Sequence, residues 1–407
     1  QTGFGRTGTV DWDTTPKTTG TFTAVSGEGY FLNTSGGVIT VNLPAGVAGA
    51  IVSLADYAAT WQTNNVTVTP NGTDKIGSQN LNATLNVEGQ SVTFVYVDST
   101  QGWINTMDST SNVRGTPPFI QATGGTIITT GDFKTHVFTG PGTFCVSSAG
   151  AADYFVVAGG GGTNFDRDSG GGAGGFRLSN SVGCVPAPTM SPLSNGTGIC
   201  ATVQGYPIVV GAGGAAVGPG LSNPGSSSSG LGISSAGGGG SKQTGGSGGG
   251  GRCGPNAGAA GNTPPVSPPQ GNNGGLGLAY TLGTGGGGGA GAVGADGTPG
   301  AGGAGGTGSF LADTFIGPTA PSYGTPGPVG STRYFAGGGG GAKYPSGTGG
   351  AGGTGGGGAA YSGGAGVGTP GTVNTGGGAG GSGANGGTAP NGASGGSGIV
   401  MIRYKFQ

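Results

Sequence analysis

Runs of four or five consecutive glycines recur after residue 150 of this chain and limit its possible folds more than any other feature. Glycine loses more backbone freedom on folding than any other residue, so such runs are by default flexible linkers. A collagen triple helix is excluded, because no strict Gly-x-y period persists at length, for example through Tyr361–Gly377. Five such runs are Gly159–Gly162, Gly237–Gly240, Gly285–Gly289, Gly337–Gly341 and Gly355–Gly358.

These runs differ from a linker in the residue that precedes them. Ala158, Ala236 and Ala336 each lead into a run. Polyglycine can form an extended helix with three residues per turn and a rise of about 3.1 Å per residue. Such helices can pack side by side and exchange backbone hydrogen bonds, because no Cβ atom holds them apart, and each buried backbone group then has a partner. We therefore predict a packed lattice of polyglycine II helices rather than a disordered tail.

Glycine is distributed unevenly, and this divides the chain into two regions. The first 150 residues hold 21 of the 109 glycines, and the remaining residues hold 88. The first region instead shows strand patterns: apolar and polar residues alternate in Val38–Leu43, and Ser91–Val97 is the strongest strand. No stretch carries helical periodicity. The pattern indicates an all-β fold, with a compact β-sandwich or meander over residues 21–107.

Strand patterns return after a passage at residues 108–135 that contains Pro-Pro and Gly-Gly pairs, which we interpret as a linker. His136–Val146 has the pattern of a hairpin, and Tyr154–Val157 and Ile399–Phe406 are apolar strands. Long glycine-rich stretches separate them. Residues 136–407 are therefore predicted to form a small β scaffold that carries the polyglycine lattice, and the terminal strand should close its core.

Composition excludes several classes of function. The chain has 13 basic and 14 acidic side chains and a formal net charge of −1, so it lacks the electrostatic footprint of a protein that binds nucleic acid or an anionic membrane. No apolar run approaches the roughly 18 residues that insertion into a membrane requires. The one histidine, His136, leaves a single candidate base for a Ser/His/Asp triad. We predict no enzymatic activity, no cofactor and no metal.

Short phrases follow one another through the first region in the order expected of a single kind of module. They are TFTAV at 21–25, EGYF at 28–31, ITVNLP at 39–44, DYA at 56–58, TNN at 63–65 and YVDSTQGW at 96–103. Over most of residues 9–105 the chain resembles a β-module of tail-fibre proteins in tailed phages, especially marine ones. Because such modules usually trimerise, the resemblance implies a homotrimer that contacts other tail proteins, with residues 1–20 leading in from a shaft.

The second region carries a further set of phrases. They are VVAGGGG at 156–162, GGGAGGF at 170–176, IVVG at 208–211 and GGSGIVMIRY at 395–404. They resemble the glycine-rich terminal domain of phage fibres, and are similar to the polyglycine-helix adhesins at the fibre tips of T-even-type phages. The resemblance implies a structural component of the extracellular virion tail. It would bind a host receptor, either a cell-surface glycan or an outer-membrane protein, through loops that join the helices at one end.

The binding chemistry of such a tip would lie where glycine gives way to side chains. Aromatic side chains with a polar tip are common binding anchors, since they bury area at a small entropy cost. Rings of this kind can also cap or pack the ends of the lattice, which is the commoner role for a single ring. The candidates for receptor binding are Phe165, Asp166, Arg167, Asp168, Phe315, Tyr323, Arg333, Tyr334, Lys343, Tyr344 and Tyr361.

The four cysteines do not have the spacing of zinc ligands. Four cysteines allow three pairings, and Cys184–Cys200 encloses the shortest loop. A disulfide between these two residues suits a particle that lives outside cells. Four free thiols made in a reducing cytosol are the alternative.

A second hypothesis for the whole chain is an extracellular glycine-rich structural fibre or surface-coat protein without a dedicated receptor. Asn-x-Ser/Thr sequons favour it, although an Asn- and Thr-rich chain also produces sequons by chance. A polysaccharide depolymerase would need paired carboxylates in a cleft, and the acid-poor second region argues against one. The sequons begin at Asn33, Asn65, Asn71, Asn82 and Asn195.

Overall fold

A computed structural model divides the chain into two compact units, Gln1–Pro118 and Phe119–Gln407. Nearly all of the regular structure is β-strand, which confirms the predicted all-β fold. The structure describes residues 10–108, 119–165, 167–218, 220–252, 254, 256–279, 282–363, 366–383 and 391–407.

The first unit consists of two sheets around one hydrophobic core. Its strands are β1 (Asp11–Lys17), β2 (Gly20–Thr23), β3 (Glu28–Leu32), β4 (Ile39–Asn42), β5 (Ile51–Asp56), β6 (Val66–Thr69), β7 (Ala83–Leu85), β8 (Ser91–Asp98) and β9 (Gly102–Asp108), with a 3-10 helix at Thr34–Gly36. One sheet has the order β1-β3-β5-β8-β9, and the other has the order β2-β4-β6-β7.

Successive strands of the first unit alternate between the two sheets. Strands β1, β3 and β5 pair in parallel in one sheet, and β2, β4 and β6 pair in parallel in the other. The last three strands pair antiparallel: β7 with β6, β8 with β5, and β9 with β8. The two-sheet sandwich is thus present, but its strands do not form a meander. Apolar alternation is the same in parallel and antiparallel strands, so the sequence pattern could not distinguish these pairings.

The alternating residues do identify the buried face. Ile39, Val41 and Leu43 have no exposed surface, and Trp61 and Trp103 are buried completely in the same core. The Nε1–H of Trp61 donates to the carbonyl of Leu32 at 3.3 Å. The core therefore fills with the residues that the period of two had assigned to it.

Two expected boundaries are wrong in part. The lead-in at residues 1–20 contains β1, which pairs with β3. The passage 108–135, interpreted as a linker, contains strands of the second unit, and Gly124 and Gly125 form a tight connection with φ angles of +109° and +64°. Short polar strands such as Thr126–Thr130 lack an apolar period, because their partner strands supply most of the buried surface.

The second unit has a β base and a glycine-rich part. The elements of the base are β10 (Gln121–Thr123), β11 (Thr126–Thr130), β12 (Phe133–Phe138), β13 (Gly142–Ser148), β14 (Gly150–Val157), β15 (Phe176–Ser179), β16 (Ser194–Asn195), β17 (Ile199–Ala201), β18 (Gly205–Ile208), β19 (Ser228–Gly230), β20 (Ile233–Ser235), β21 (Ser309–Ala312), α1 (Asp313–Ile316), a 3-10 helix (Ala320–Ser322), β22 (Thr325–Pro326), β23 (Thr332–Phe335) and β24 (Ile399–Lys405). The largest sheet has the order β11-β12-β24-β14-β15-β16.

The terminal strand β24 lies in the middle of this sheet. It pairs antiparallel with β12 on one side and β14 on the other. Val400, Ile402 and Tyr404 face one hydrophobic cluster, whereas Ile399 and Met401 face a second. The apolar pattern of Ile399–Phe406 predicted that this strand closes one core, and in the structure it closes two.

The glycine-rich segments between residues 158 and 398 form the predicted lattice. In the run Gly285–Gly289 and beyond, the amide of Gly287 donates to the carbonyl of Gly339 at 2.8 Å, and the amide of Ala290 donates to that of Ala336 at 2.9 Å. From the first bond to the second, the donor advances three residues along the chain and the acceptor goes back three, so the two segments run in opposite directions. The amides of Gly288 and Gly289, between the two donors, bond other segments. A period of three residues is that of the polyglycine II helix.

Every amide and carbonyl of Gly285–Gly289 bonds a neighbouring segment. The amides donate to three segments and the carbonyls accept from three others, so the run sits within six neighbours. The arrangement leaves no buried backbone group of this run without a partner. The donating contacts reach residues 248–251, 292–295 and 339, and the accepting contacts come from residues 170–173, 272–275 and 306.

The lattice has space for a Cβ atom at only some positions. A Cβ added to Gly287 would overlap the carbonyl group of Gly171. Ala173 and Ala379 are nevertheless buried in the lattice without exposed surface. The run Gly355–Gly358 also differs from the others, because it begins in a turn with φ angles of +104° and +93° at its first two residues.

His136 lies within β12, buried next to β24. Its Nδ1 is 2.6 Å from the carbonyl oxygen of Gly124, and its Nε2 is 2.9 Å from the hydroxyl of Tyr404. Because a carbonyl can only accept, Nδ1 carries the proton, and Nε2 of the neutral ring accepts from the hydroxyl. Burial lowers the pKa of His136 below 6.5; the hydrogen bond to Gly124 opposes this shift, and the charge of Lys134 adds to it.

We expect the stability of the second unit to fall as the pH drops below about 6.5, because the unfolded chain then binds a proton that the folded chain resists. The His136→Gln variant removes this titration. Thermal melts of the full chain at about pH 7.5 and about pH 5 should show a larger fall in melting temperature for the wild type than for the variant. The difference should be about 2–4 °C for each kcal/mol of stability that the titration of His136 removes. Equal falls in both proteins would contradict the prediction.

Candidate functional site

Loops form one end of the lattice, and the strands of the base form the other. The chain leaves β14, passes through 158–162, turns, and returns through 169–175 into β15, so the turn lies away from the strands. The same path repeats along the chain. We call the described residues of these loops the distal loops: 163–165, 167–168, 216–218, 220–221, 241–244, 252, 254, 256, 278–279, 282–283, 297–301, 343–348, 361–363, 366–367, 383 and 391.

Hydrogen bonds join the distal loops to one another. Asn164 Nδ2 donates to the carbonyl of Gly220 at 2.6 Å, and the amide of Gly363 donates to the carbonyl of Gly347 at 3.2 Å. These loops therefore form one connected surface rather than separate hairpin tips. Backbone bridges also join Gly283 to Lys343 and Gly366 to Gly383.

Asp168 is completely buried among these loops. Its carboxylate accepts hydrogen bonds from the amide of Asn164 at 2.6 Å and from the hydroxyl of Ser222 at 3.0 Å. Arg252 Nε lies 3.2 Å from the other carboxylate oxygen. The carbonyl of Asp168 accepts from the hydroxyl of Thr284 at 3.1 Å. One side chain and its backbone thus tie together four stretches of chain that are far apart in sequence.

Two opposing effects act on the pKa of Asp168. Burial raises the pKa of this carboxyl above its usual value, and the guanidinium of Arg252 and the hydrogen-bond donors of Ser241, Asn164 and Ser222 oppose that rise only in part. A buried carboxylate without partners would carry a large desolvation penalty. The donors offset that penalty only while the loops keep this arrangement, so the ion pair fixes the loop conformation.

The structure brings three predicted site residues together. The guanidinium of Arg167 lies 4.5 Å from the centre of the Tyr344 ring. The ammonium of Lys343 donates to the carbonyls of Tyr344 at 3.0 Å and Ser346 at 3.1 Å. Both cations are thereby engaged inside the protein. Their charge orients backbone and ring groups of the distal loops.

Four other candidates do not lie at the distal end. Phe315 is completely buried in the core of the base, where Tyr323 packs against the same cluster. The ring of Tyr334 packs on that of Phe310, with 5.0 Å between ring centres. Arg333 Nε donates to the carbonyl of Tyr323 at 2.6 Å. Burial excludes Phe315 and Tyr334 as direct receptor contacts, whereas the half-buried Tyr323 and Arg333 stay predictions. An aromatic residue that packs a small sheet has the same sequence context as one in a loop.

The remaining candidates divide by exposure. Asp168 and Lys343 are buried, which excludes them as direct contacts of a receptor. Phe165, Arg167 and Tyr344 are half-buried, and Tyr361 is exposed. Asp166 lies outside the described residues.

Sequence reasoning missed the most exposed apolar side chain among the described residues of the distal loops. Leu221 is 79% exposed, and Val367 is also exposed at this end. Each is a large apolar residue isolated among Gly, Ser and Pro, a signal that was available but was passed over in favour of aromatic rings. Together with Tyr361 they give the distal surface apolar contact groups on a hydrogen-bonded backbone.

The suggested Cys184–Cys200 disulfide is not formed. Both residues are exposed free thiols, as is Cys145. Cys200 lies on β17 opposite Ala151 of β14, whereas the thiol of Cys184 faces the carbonyl of Ser181 at 3.6 Å. Short sequence separation therefore does not by itself pair two cysteines. Cys253 lies outside the described residues.

Neither a membrane helix nor a metal cluster is found in the described part of the chain. There, no helix has the length and apolar character required to span a bilayer. Among the same residues, no three His, Cys, Asp or Glu side chains come together as ligands of an ion would.

A comparison with families of known proteins gives one match. The sequence model of a family described as a glycine-rich domain matches residues 137–405. This range runs from β12 to β24 and includes the whole lattice. Among curated proteins, none matches the chain.

Proposed function

Since this chain belongs to the glycine-rich domain family through residues 137–405, we propose that it forms the tip of a phage tail fibre and binds a host cell-surface receptor with its distal loops. The single observation that carries this proposal is the connected distal surface. Several loops from distant parts of the sequence meet there, bonded to one another and held on a rigid lattice.

A rigid support matters for binding because loops that are already ordered lose little entropy on meeting a partner. In the lattice, backbone hydrogen bonds from six directions fix the central run Gly285–Gly289. The loops can then vary in sequence without altering the support. This separation of support and contact surface suits an attachment protein, whereas a plain structural fibre has no need of it.

The location of the protein separates the two hypotheses for its function. Antibodies against the full chain should label the fibre tips of purified virions in electron micrographs. Labelling of a cell-derived filament or coat, with glycans on exposed sequon residues such as Asn65, Asn71 and Asn82, would instead favour the structural fibre.

We expect Leu221→Asp and Tyr361→Ser to lower binding of the full chain to host cells by about tenfold each, as loss of a contact at the centre of an interface does. Val373→Asp is the matched control, because Val373 is 69% exposed but lies in a turn beside the base. Flow cytometry with fluorescent protein measures the effect. Equal binding by all variants would contradict the assignment of the distal surface.

Treatment of the cells distinguishes the two receptor classes. If the receptor is an outer-membrane protein, protease digestion of the cell surface removes binding. If it is a glycan, periodate oxidation removes binding and protease does not.

We also propose that the full chain is a homotrimer, as the resemblance of residues 9–105 to fibre modules implies. Sedimentation velocity at micromolar concentration should give about three times the mass of the 37.9 kDa chain. A single species with the mass of one chain would exclude the trimer, but would leave the binding role of the distal loops intact.

A further inference from the structure

A groove crosses the outer face of the five-stranded sheet in the first unit. The strand register places Trp12, Gly29, Ser53, Thr93 and Met107 opposite one another on successive strands. Ser53 and Thr93 form the floor, and the large side chains of Trp12 and Met107 form the walls. The volume of the groove is about 400 Å³, within the range of roughly 300–1,000 Å³ that small-molecule sites have.

The ring of Trp12 is held in position but remains accessible. Its side chain is 42% exposed. The ring covers Gly29, where an added Cβ would lie 2.8 Å from two of its carbon atoms, and Phe31 packs against it with 4.8 Å between ring centres. A glycine on β3 thus lets an indole lie against the sheet. A fixed aromatic wall of this kind offers a large contact area at little entropy cost.

The floor contains a pair of hydroxyl groups with an unused proton. Ser53 Oγ and Thr93 Oγ1 are 2.7 Å apart, and the residues are only 4% and 6% exposed. Two hydroxyls carry two protons, and their mutual hydrogen bond uses one. Among the described residues the second proton has no acceptor. Because buried polar groups normally have hydrogen-bond partners, an oxygen atom of a ligand in the groove would complete the set.

We propose that this groove binds a neutral pyranose unit of a glycan. None of the residues that line it is charged, which disfavours an acidic or basic ligand. A pyranose presents an apolar C–H face, which would pack on the Trp12 ring, and hydroxyl oxygens, which would accept from the Ser53–Thr93 pair. The site is separate from the distal loops and does not depend on the function proposed for them.

Saturation-transfer NMR on the full chain tests the proposal, with the methyl glycosides of glucose, galactose, mannose and N-acetylglucosamine as probes. We expect at least one to bind with a dissociation constant on the order of 1 mM. Trp12→Ala should weaken that binding at least about tenfold, and Thr93→Val, which keeps the shape but loses the hydroxyl, should weaken it about threefold to tenfold. Tyr57→Ala, which removes an exposed ring of the same unit outside the groove, should leave it unchanged.

Three results would overturn the proposal. The first is the absence of transfer to all four probes, and the second is wild-type binding by both Trp12→Ala and Thr93→Val. The third is sedimentation in which the wild type associates and Trp12→Ala does not, since the groove would then be an interface between copies. The Thr93→Val variant keeps the test valid if Trp12→Ala fails to fold, and none of these results bears on cell binding by the distal loops.

Discussion

Replacing Gly287 by Val should abolish the native fold of the second unit or lower its free energy of unfolding by at least about 4 kcal/mol. The new Cβ would overlap the carbonyl group of Gly171. The neighbouring segment must then move, and the hydrogen bonds between Gly287 and both Gly339 and Gly306 are strained with it. Each broken bond costs about 0.5–1.5 kcal/mol, and about 1–3 kcal/mol where a buried group is left without a partner. Thermal unfolding of the full chain, followed by calorimetry, measures the loss.

Gly300→Val is the matched control. Gly300 is a distal-loop glycine, and an added Cβ would meet no atom within 4 Å. The melting temperature of the Gly300→Val variant should stay within about 1 °C of that of the wild type, as for surface substitutions in general. Tyr361→Ser should also leave the melting temperature nearly unchanged, because that ring is exposed. If Gly287→Val melts at the same temperature as these controls, the glycine runs act as flexible chain and do not support the distal loops rigidly.

Asp168→Ala should cost about 2–6 kcal/mol of stability, because two buried donors lose their acceptor at about 1–3 kcal/mol each. The variant leaves the guanidinium of Arg252 without its carboxylate, and the amide of Asn164 and the hydroxyl of Ser222 without their acceptor. We expect the distal loops to rearrange as water reaches these groups. Hydrogen exchange followed by mass spectrometry should show faster exchange in residues 163–168 and 216–221, with the base unchanged.

Asp296→Ala is the control for loss of a carboxylate near the distal loops. Asp296 is exposed, and its carboxylate accepts one hydrogen bond, from the amide of Leu276 at 2.6 Å. Its removal should cost no more than about 1.5 kcal/mol and leave exchange in 163–168 unaltered. Equal costs for Asp168→Ala and Asp296→Ala would show that the buried pair does not fix the loops. Cell binding should fall in Asp168→Ala alone if loop order is needed for attachment.

The strands and the lattice could be predicted from local pattern. Period-two alternation identified the buried side of Ile39–Asn42, and the apolar run at the end of the chain identified β24. Consecutive glycines permit a close approach of backbones that no other residue allows, so the threefold helices followed from residue type alone. These features depend on near neighbours in sequence, which is why they could be predicted without a structure.

The site could be predicted only in part. The loop 163–168 and the pair Lys343–Tyr344 were identified as interruptions of glycine, and they do lie at the distal end. Phe315 and Tyr334 interrupt glycine in the same way but pack into the base. Nothing local distinguishes these cases, since the direction of a side chain depends on which end of the lattice the chain has reached.

By itself, the sequence determined that this protein is all-β and that its glycine-rich region is a lattice of polyglycine helices. The tertiary structure alone decided that β1, β3 and β5 pair in parallel, that Asp168 meets Arg252, and that Cys184 and Cys200 are free thiols. The physical reason is the distance in sequence between the residues that determine each feature. Backbone freedom and the alternation of buried faces act over a few residues, whereas a hydrogen bond between segments 81 residues apart depends on the path of the entire chain between them.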